Sequence, residues 1–392
     1  MITQPIVPDG AHKAFSAQAD APQAECIGAS AIDEALLLGW QSLEQRLREP
    51  NIFCESRFLP AALSHCDPEG RARLFVLWAG APRCSPLLGL MPLSLERLYG
   101  SRRLPNWQNW QHPNAFLGNP LIAPGHERAF WRALLDMLDR SAGMGLFFHI
   151  DNLALDGAGA EALQALCREE GRRCDLVRRH ERAFLRSDLG GEAYFEQAVR
   201  GKKRKELRRQ KRRLEDMGTL RFLRSDGRQD LDRWIDAFLT LEASGWKGQE
   251  QSALGSQDRT RALFCDMLGA MAQAGKLELL SLEFEGAPIA MLVNLQSGDG
   301  IFSFKTTFDE SFARFSPGVL LQIENYAMLD RPDIHWADSC AAPDHPMIDS
   351  LWTERRAIGR LSIAIGGPLR RKAFDALRWM EDHMARRQGS KG

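Results

Sequence analysis

Three stretches of the sequence hold residues whose types and spacing can do chemistry. The first is GIFSFKTTFDESFARFSPGVLLQIENYAML, Gly300 to Leu329, which reads as a strand, an open connection and a helix. Phe302 and Phe304 alternate with Ser303 and Lys305, the period of a half-buried strand. At the helix start Ser316 is of N-cap type, Pro317 loses no needed N–H, and Gly318 carries no side chain. With Val319, these residues present free N–H groups and the positive end of a helix dipole to a phosphate or carboxylate. The same residues also suit a plain helix cap that binds nothing.

The second stretch is the basic run Arg200–Arg213, in which ten of fourteen residues are Lys or Arg and one is Glu, a local charge of +9. The chain holds 51 basic and 51 acidic residues, so everything else sums to −9. Phe195, Val199, Leu207 and Leu214 fall roughly on one helical face, which docks the helix and leaves Lys203, Arg204, Arg208, Arg209 and Arg212 for water. Such a block is either a solvated face or a seat for an anionic partner: anionic lipid, a sugar-nucleotide or lipid pyrophosphate, or tRNA. The third group is carboxylates at strand ends, Asp309 and Glu310 after one strand and Asp338 after another. Strand ends in α/β folds face the ligand crevice, which makes Asp338 the candidate general base; turn formation is the competing role.

These residues need a scaffold, and 392 residues are enough for two domains of ordinary size. MITQPIVPDGAHKAFSAQADAPQAECIGAS has no apolar h-region and reads as a disordered tail, residues 1–30. The eight cysteines form no C-x-x-C pair and the nine histidines no H-E-x-x-H, so neither a disulfide framework nor a metal site is predicted, and a reducing cytoplasm fits.

Helical and strand patterns alternate in the first half, with helices expected at Ala31–Arg48, His126–Ser141 and Ala158–Glu170 and strands at Leu74–Trp78, Leu87–Leu93, Leu146–Ile150 and Cys174–Arg186. NWQNWQHPNAFLGNPLIAPG between them is either a cleft wall or a packed surface loop. In the second half a long helix, Glu192–Met217, precedes a strand at Thr219–Arg224 and helices at Asp230–Ser244 and Gln257–Gln273. Lys276–Phe284, Pro288–Gln296 and Gly300–Phe308 form an antiparallel meander joined by EGAP and SGDG. After the Ser316 helix follow a strand at Ile334–Asp338, a helical segment at Ile348–Arg356, a strand at Leu361–Ile365 and a helix at Leu369–Arg386.

That order resembles the GNAT superfamily of acyltransferases, and KRKELRRQKRRLEDMGTLRF, FLTLEASGWKG, GKLELLSLEFEGAPIAMLVNL and FSFKTTFDESFARFSPGVLLQIE resemble its double-domain branch, related to CelD-type acetyltransferases and Fem-type aminoacyl ligases. NIFCESRFL and WQHPNAFLGNPLI resemble the branch's first domain more loosely. The resemblance implies an α/β fold of mixed sheets in two tandem GNAT-like domains, each a mostly antiparallel sheet flanked by helices: a degenerate one over residues 31–182 and an acyltransferase one over 183–392.

It further implies that Gly300–Phe308 and Ile334–Asp338 splay apart around an acyl-CoA thioester, with the pyrophosphate on Ser316, Pro317, Gly318 and Val319. Asp338 and Lys305 are then the catalytic candidates, as base and as oxyanion partner. Glu242, Trp246, Lys247, Phe304, Asp309 and Trp352 are the candidates for contact with the acceptor. The sequence departs from the usual pattern in two places: Arg314–Val319 offers one glycine where the common pyrophosphate loop has two, and no tyrosine follows the splayed strand. The expected activity is acetyl or short-acyl transfer from acyl-CoA to an amine or hydroxyl of an envelope or polysaccharide precursor. An aminoacyl-tRNA-dependent transferase and a non-catalytic module for anionic ligands are the alternatives. The expected location is cytoplasmic, with peripheral attachment to the inner membrane left open.

Overall fold

The computed structural model describes residues 21–245 and 254–389. In the first half β1 (Gln23–Gly28), β2 (Arg73–Trp78), β3 (Leu87–Glu96) and β4 (Asn106–Asn109) pair antiparallel in turn, and β6 (Phe147–Ala154) then runs parallel to β4. A two-residue strand, β5 (Leu121–Ile122), also pairs with β3. The second half repeats the pattern. There β8 (Leu220–Ser225), β9 (Leu277–Phe284), β10 (Ala287–Ser297) and β11 (Gly300–Phe308) are antiparallel, and β12 (Trp336–Asp338) runs parallel to β11.

The halves exchange their last strands. β7 (Cys174–Leu185) ends the first half yet pairs with β12, and β13 (Glu354–Ala364) ends the second yet lies between β6 and β7. One continuous thirteen-strand sheet results. The expected division after residue 182 cuts through β7.

Helices α1 (Glu34–Glu44), α2 (Leu59–Cys66), α3 (Glu127–Ser141) and α4 (Ala158–Glu169) belong to the first half, and α5 (Gly191–Ala198), α6 (Gly201–Met217), α7 (Leu231–Ser244), α8 (Asp258–Gln273) and α9 (Pro317–Glu324) to the second. One apolar core runs across both halves and includes α7 and α8; a second lies under α5, α6 and α9. The last helix, α10 (Pro368–Gly389), returns to the first half, where Phe374 packs on Phe147 at 5.4 Å and Arg378 reaches Asp175.

Four expectations differ from this fold. Residues 1–20 of the expected tail lie outside the described residues, but Gln23–Gly28 is an edge strand, held where Glu25 accepts from the Trp78 indole and pairs with Arg83. The helix Glu192–Met217 breaks into α5 and α6 because Val199 is extended and fully buried and Gly201 is a poor helix interior residue. Of Ile348–Arg356 only Ile348–Ser350 is helical. From Glu354 the chain is already β13, whose charged side chains hid its strand character; neighbours satisfy them, with Asp338 pairing Arg356 and Asp151 pairing Arg360.

Candidate active site

β11 and β12 pair through three residues only, Gly300 with Trp336, Ile301 with Ala337 and Phe302 with Asp338, and then part. Gly300 is required, since a Cβ there would stand 2.0 Å from the Trp336 ring. Just past the parting point the ladder to β10 slips: Val293 faces Lys305 while Asn294 faces Ser303, which leaves Phe304 as an extra, bulged residue. A bulge disrupts the ladder and re-aims side chains. Beyond β11, Asp309 accepts from the Ser311 N–H at 2.8 Å and caps a 3₁₀ turn, Glu310–Phe315. Ser316 then turns the chain into α9 with φ of 52°, in the left-handed region.

At the end of β12, Asp338 is fully buried and accepts from Arg182 on β7 at 2.6 Å and Arg356 on β13 at 3.0 Å. Its other oxygen accepts from the Cys340 N–H at 2.9 Å. Burial alone would raise its pKa, but the two guanidinium groups outweigh it and hold the carboxyl below its ordinary value. Arg356 also lies over the stacked rings of Phe184 and Trp336, at 5.2 and 5.6 Å. Arg182 donates to the Phe116 carbonyl, which ties the first-half loop to this clamp.

Opposite, Lys305 stands over the rings of Phe116 at 5.1 Å and Phe304 at 5.5 Å. Phe53, Phe58, Phe116, Phe302 and Phe304 form one aromatic cluster between the halves. Through Phe116 the NWQNWQHPNAFLGNPLIAPG segment packs against the second half. Behind it lies His112, buried, with its pKa lowered to about 4 by burial and then by Lys305.

The parallel pair that parts, the bulge and the helix start that follows all lie within one segment that matches a known family. Residues 201–341 match the family described as acetyltransferase (GNAT) domain. The match identifies a GNAT-like domain within the chain. Its fold is similar to that of a protein titled FemX, at 11% identity and a TM-score of 0.54 over 86% of this chain and 96% of that one. It is equally similar to a conserved protein of unknown function from Bacteroides thetaiotaomicron, at 12% identity and a TM-score of 0.54 over 84% and 97% of the two chains. The C-terminal domain of a putative lysylphosphatidylglycerol synthetase from Agrobacterium fabrum aligns at 13% identity and a TM-score of 0.49, over 86% and 94%. No curated protein matches the sequence significantly.

Within this frame the expected residues divide. Lys305, Phe304 and Asp338 gather at the parted strands, and Asp309 and Ser316–Val319 follow directly. Ser316 sets the turn through its backbone, whose carbonyl accepts from Val319 and Leu320 at 2.9 and 3.0 Å, and its hydroxyl makes no cap bond. Gly318 was expected to open the backbone to a ligand; a Cβ there would instead touch the Met347 sulfur at 3.2 Å, so its missing side chain serves helix packing. The clamp makes Asp338 a poor acceptor for a substrate proton, because both oxygens are committed and out of contact with water.

Glu242 is buried and accepts from the Leu254 N–H at 2.8 Å, a loop-holding role, and Trp352 is fully buried in the second core. Neither is exposed to an acceptor. Trp246 and Lys247 lie outside the described residues. Of the basic-helix residues, Arg204 and Arg208 pair with Glu196, Arg209 pairs with Glu206, Lys203 donates to Ser350, and Arg212 is exposed.

Sequence reasoning missed Arg182, Arg356, Phe116 and His112. The arginines sit in RRHERAFLR and ERRAIGR, runs whose composition looks like solvated surface. Only the exchange of β7 and β13 places both beside Asp338. Among the described residues no group of three or more His, Cys, Asp or Glu is placed to hold a metal.

Proposed function

We propose that the chain transfers an acetyl or short acyl group from acyl-CoA to an amine or hydroxyl of a cell-envelope or polysaccharide precursor. One observation carries this reading: β11 and β12 part beside a bulge, with Lys305 just past the parting point and the Ser316–Val319 helix start next in the chain. In this reading the thioester lies between the parted strands and its pyrophosphate lies toward that helix start. The acceptor comes from the first-half side, along Phe116 and Phe304. Its nitrogen or oxygen attacks the thioester carbon, the carbon–sulfur bond breaks, and the acceptor's proton ends on the leaving thiolate. The Lys305 ammonium and a main-chain N–H freed by the bulge stabilise the developing oxyanion. Asp338 acts through Arg182 and Arg356, fixing β7, β12 and β13 around the gap. Residues 31–182 supply the degenerate, wall-forming half and 183–392 the transferring half.

Purified protein should gain thermal stability with acetyl-CoA, by roughly 2.7 kcal/mol at a hundred times Kd. No shift at millimolar ligand would count heavily against the donor. A mass-spectrometric screen of acyl donors reads the chemistry directly. A second reading, aminoacyl transfer from charged tRNA, is favoured by α6. Salt-sensitive tRNA binding that collapses when Arg208, Arg209, Arg212 and Arg213 become Gln would support it. A third, a module that binds without catalysis, requires a Lys305→Ala, Asp338→Ala double variant that still folds to function normally in cells.

A further inference from the structure

A groove of about 240 Å³ opens between α5, α6, the edge strand β8 and α9. Its floor is apolar: Phe195, Leu207, Phe222, Leu320 and Ile323. Along the α6 rim, Arg208 lies over the Phe195 ring at 5.9 Å and Lys211 over the Phe222 ring at 4.9 Å. At about 100° per residue, Lys211, Arg208, Arg212 and Lys205 follow one another round the helix within roughly 120°, and Arg209 and Lys202 continue the arc. Among the described residues Lys205, Arg212 and Arg213 form no ion pair, and all three are exposed. The acids Glu192 and Glu324 line the groove as well, but they belong to α5 and α9. The apolar slot is thus bordered by cations on its α6 side. Near the end of the same helix Met217 is 53% exposed, and Leu223 on β8 is 46% exposed.

We propose that α6 and this groove dock the chain on an anionic phospholipid bilayer, with part of one acyl tail in the groove and phosphate headgroups on the cationic arc. Charge complementarity selects an anionic head, and the apolar floor selects an aliphatic tail, which RNA does not offer. Among the described residues no helix is long and apolar enough to cross a membrane, so attachment is from the surface. The groove is separate from the parted strands and stands independently of the donor reading.

Sedimentation with vesicles of phosphatidylglycerol and phosphatidylcholine, against phosphatidylcholine alone, tests this. Binding is expected only to the anionic vesicles and should weaken as salt rises. Changing Lys205, Arg209, Arg212 and Arg213 to Gln should lower partition by about fivefold for each charge removed. The groove is tested by Ile323→Glu, which should weaken binding with the arginines intact. In parallel, Phe222→Trp should add fluorescence that brominated acyl chains quench. Unchanged binding in the four-charge variant overturns the proposal. So does the absence of added quenching, or tRNA binding without vesicle binding. Acetyl-CoA stabilisation measured on the same samples should be untouched by these variants; its loss in the unmodified chain would strike the donor reading alone.

Discussion

The two parallel strand pairs, β4–β6 and β11–β12, have the same topology and different fates. After Trp107–Phe148 and Gln108–His149 pair, the first-half strands are stitched together again by amide side chains. Asn109 donates to the Asp151 carbonyl at 2.9 Å and accepts from its N–H at 2.8 Å, Asn152 donates to Gln111, and Gly118 brings its backbone N–H to the Asn152 carbonyl at 2.8 Å. A Cβ on Gly118 would stand 2.0 Å from the Asp151 oxygen, which shows how completely that loop fills the gap. In the second half the corresponding place is flanked by a bulge, a lysine and aromatic rings, and its carboxylate is clamped by arginines from exchanged strands. Neutral amides close a gap because each donates and accepts across it. A lysine only donates and cannot close it in that way.

Breaking the clamp should have the largest effect. Asp338→Ala leaves two buried guanidinium groups without their carboxylate and should cost about 3–5 kcal/mol in denaturant unfolding. Because the folded pKa of Asp338 lies below its unfolded value, its contribution is full above about pH 3.9 and is lost as pH falls through the folded value. A cost under about 1 kcal/mol would mean that the clamp is not structural.

Lys305→Ala should leave folding nearly unchanged and lower kcat by about 10²–10³-fold. Gln111→Ala, in the stitched gap, should leave kcat alone, and equal losses in both would erase the contrast between the halves. The two glycines sharpen the same comparison. Gly118→Ala meets a backbone oxygen and should cost up to about 3 kcal/mol, whereas Gly318→Ala crowds only the flexible end of Met347, with Phe308 at ordinary contact distance, and should cost under about 1 kcal/mol.

The pH response of His112, behind Lys305, is a more gradual effect than loss of the clamp. Its folded pKa, about 4, lies below the unfolded value, so stability is full above about pH 6.5 and falls as the unfolded state takes up protons. The loss should reach about 2 kcal/mol by pH 5, with His149, also at about 4, adding in the same direction. A His112→Gln variant should show a shallower fall. If its pH profile matches that of the unmodified chain, the imidazole titrates normally and the wall behind Lys305 is wet.

Much of the second half was legible because its elements are local. The meander from Leu277 to Phe308 has apolar strand-length runs and short turns, and its strands form where those runs lie. The Ser316 turn was readable as a helix start from Ser-Pro-Gly, but its use was not, since Met347, thirty residues on, decides what occupies the space beside Gly318. Glu242 and Trp352 carry chemistry in their side chains and were natural candidates for acceptor contact. Burial, which depends on distant packing, removes both from the surface.

β13 shows the limit most clearly. Its four charged positions among the first seven residues argue for a surface segment, and only Arg355 finds a partner nearby in sequence, Asp349. The partners of Arg360, Arg356 and Glu354 come from β6, β12 and α5.

The sequence by itself determined the element order, the meander, the helix start after β11 and the charge of α6. Each depends on periodicity, turn chemistry or composition within a few residues. Only the tertiary structure decided that β7 and β13 change places and that two arginines immobilise Asp338. It alone decided that Phe116 and Lys305 meet and that amide side chains bridge one strand gap while a lysine and aromatic rings flank the other. Those outcomes depend on which distant groups meet in a dry interior, where an unpaired charge is costly and a satisfied one fixes its neighbours.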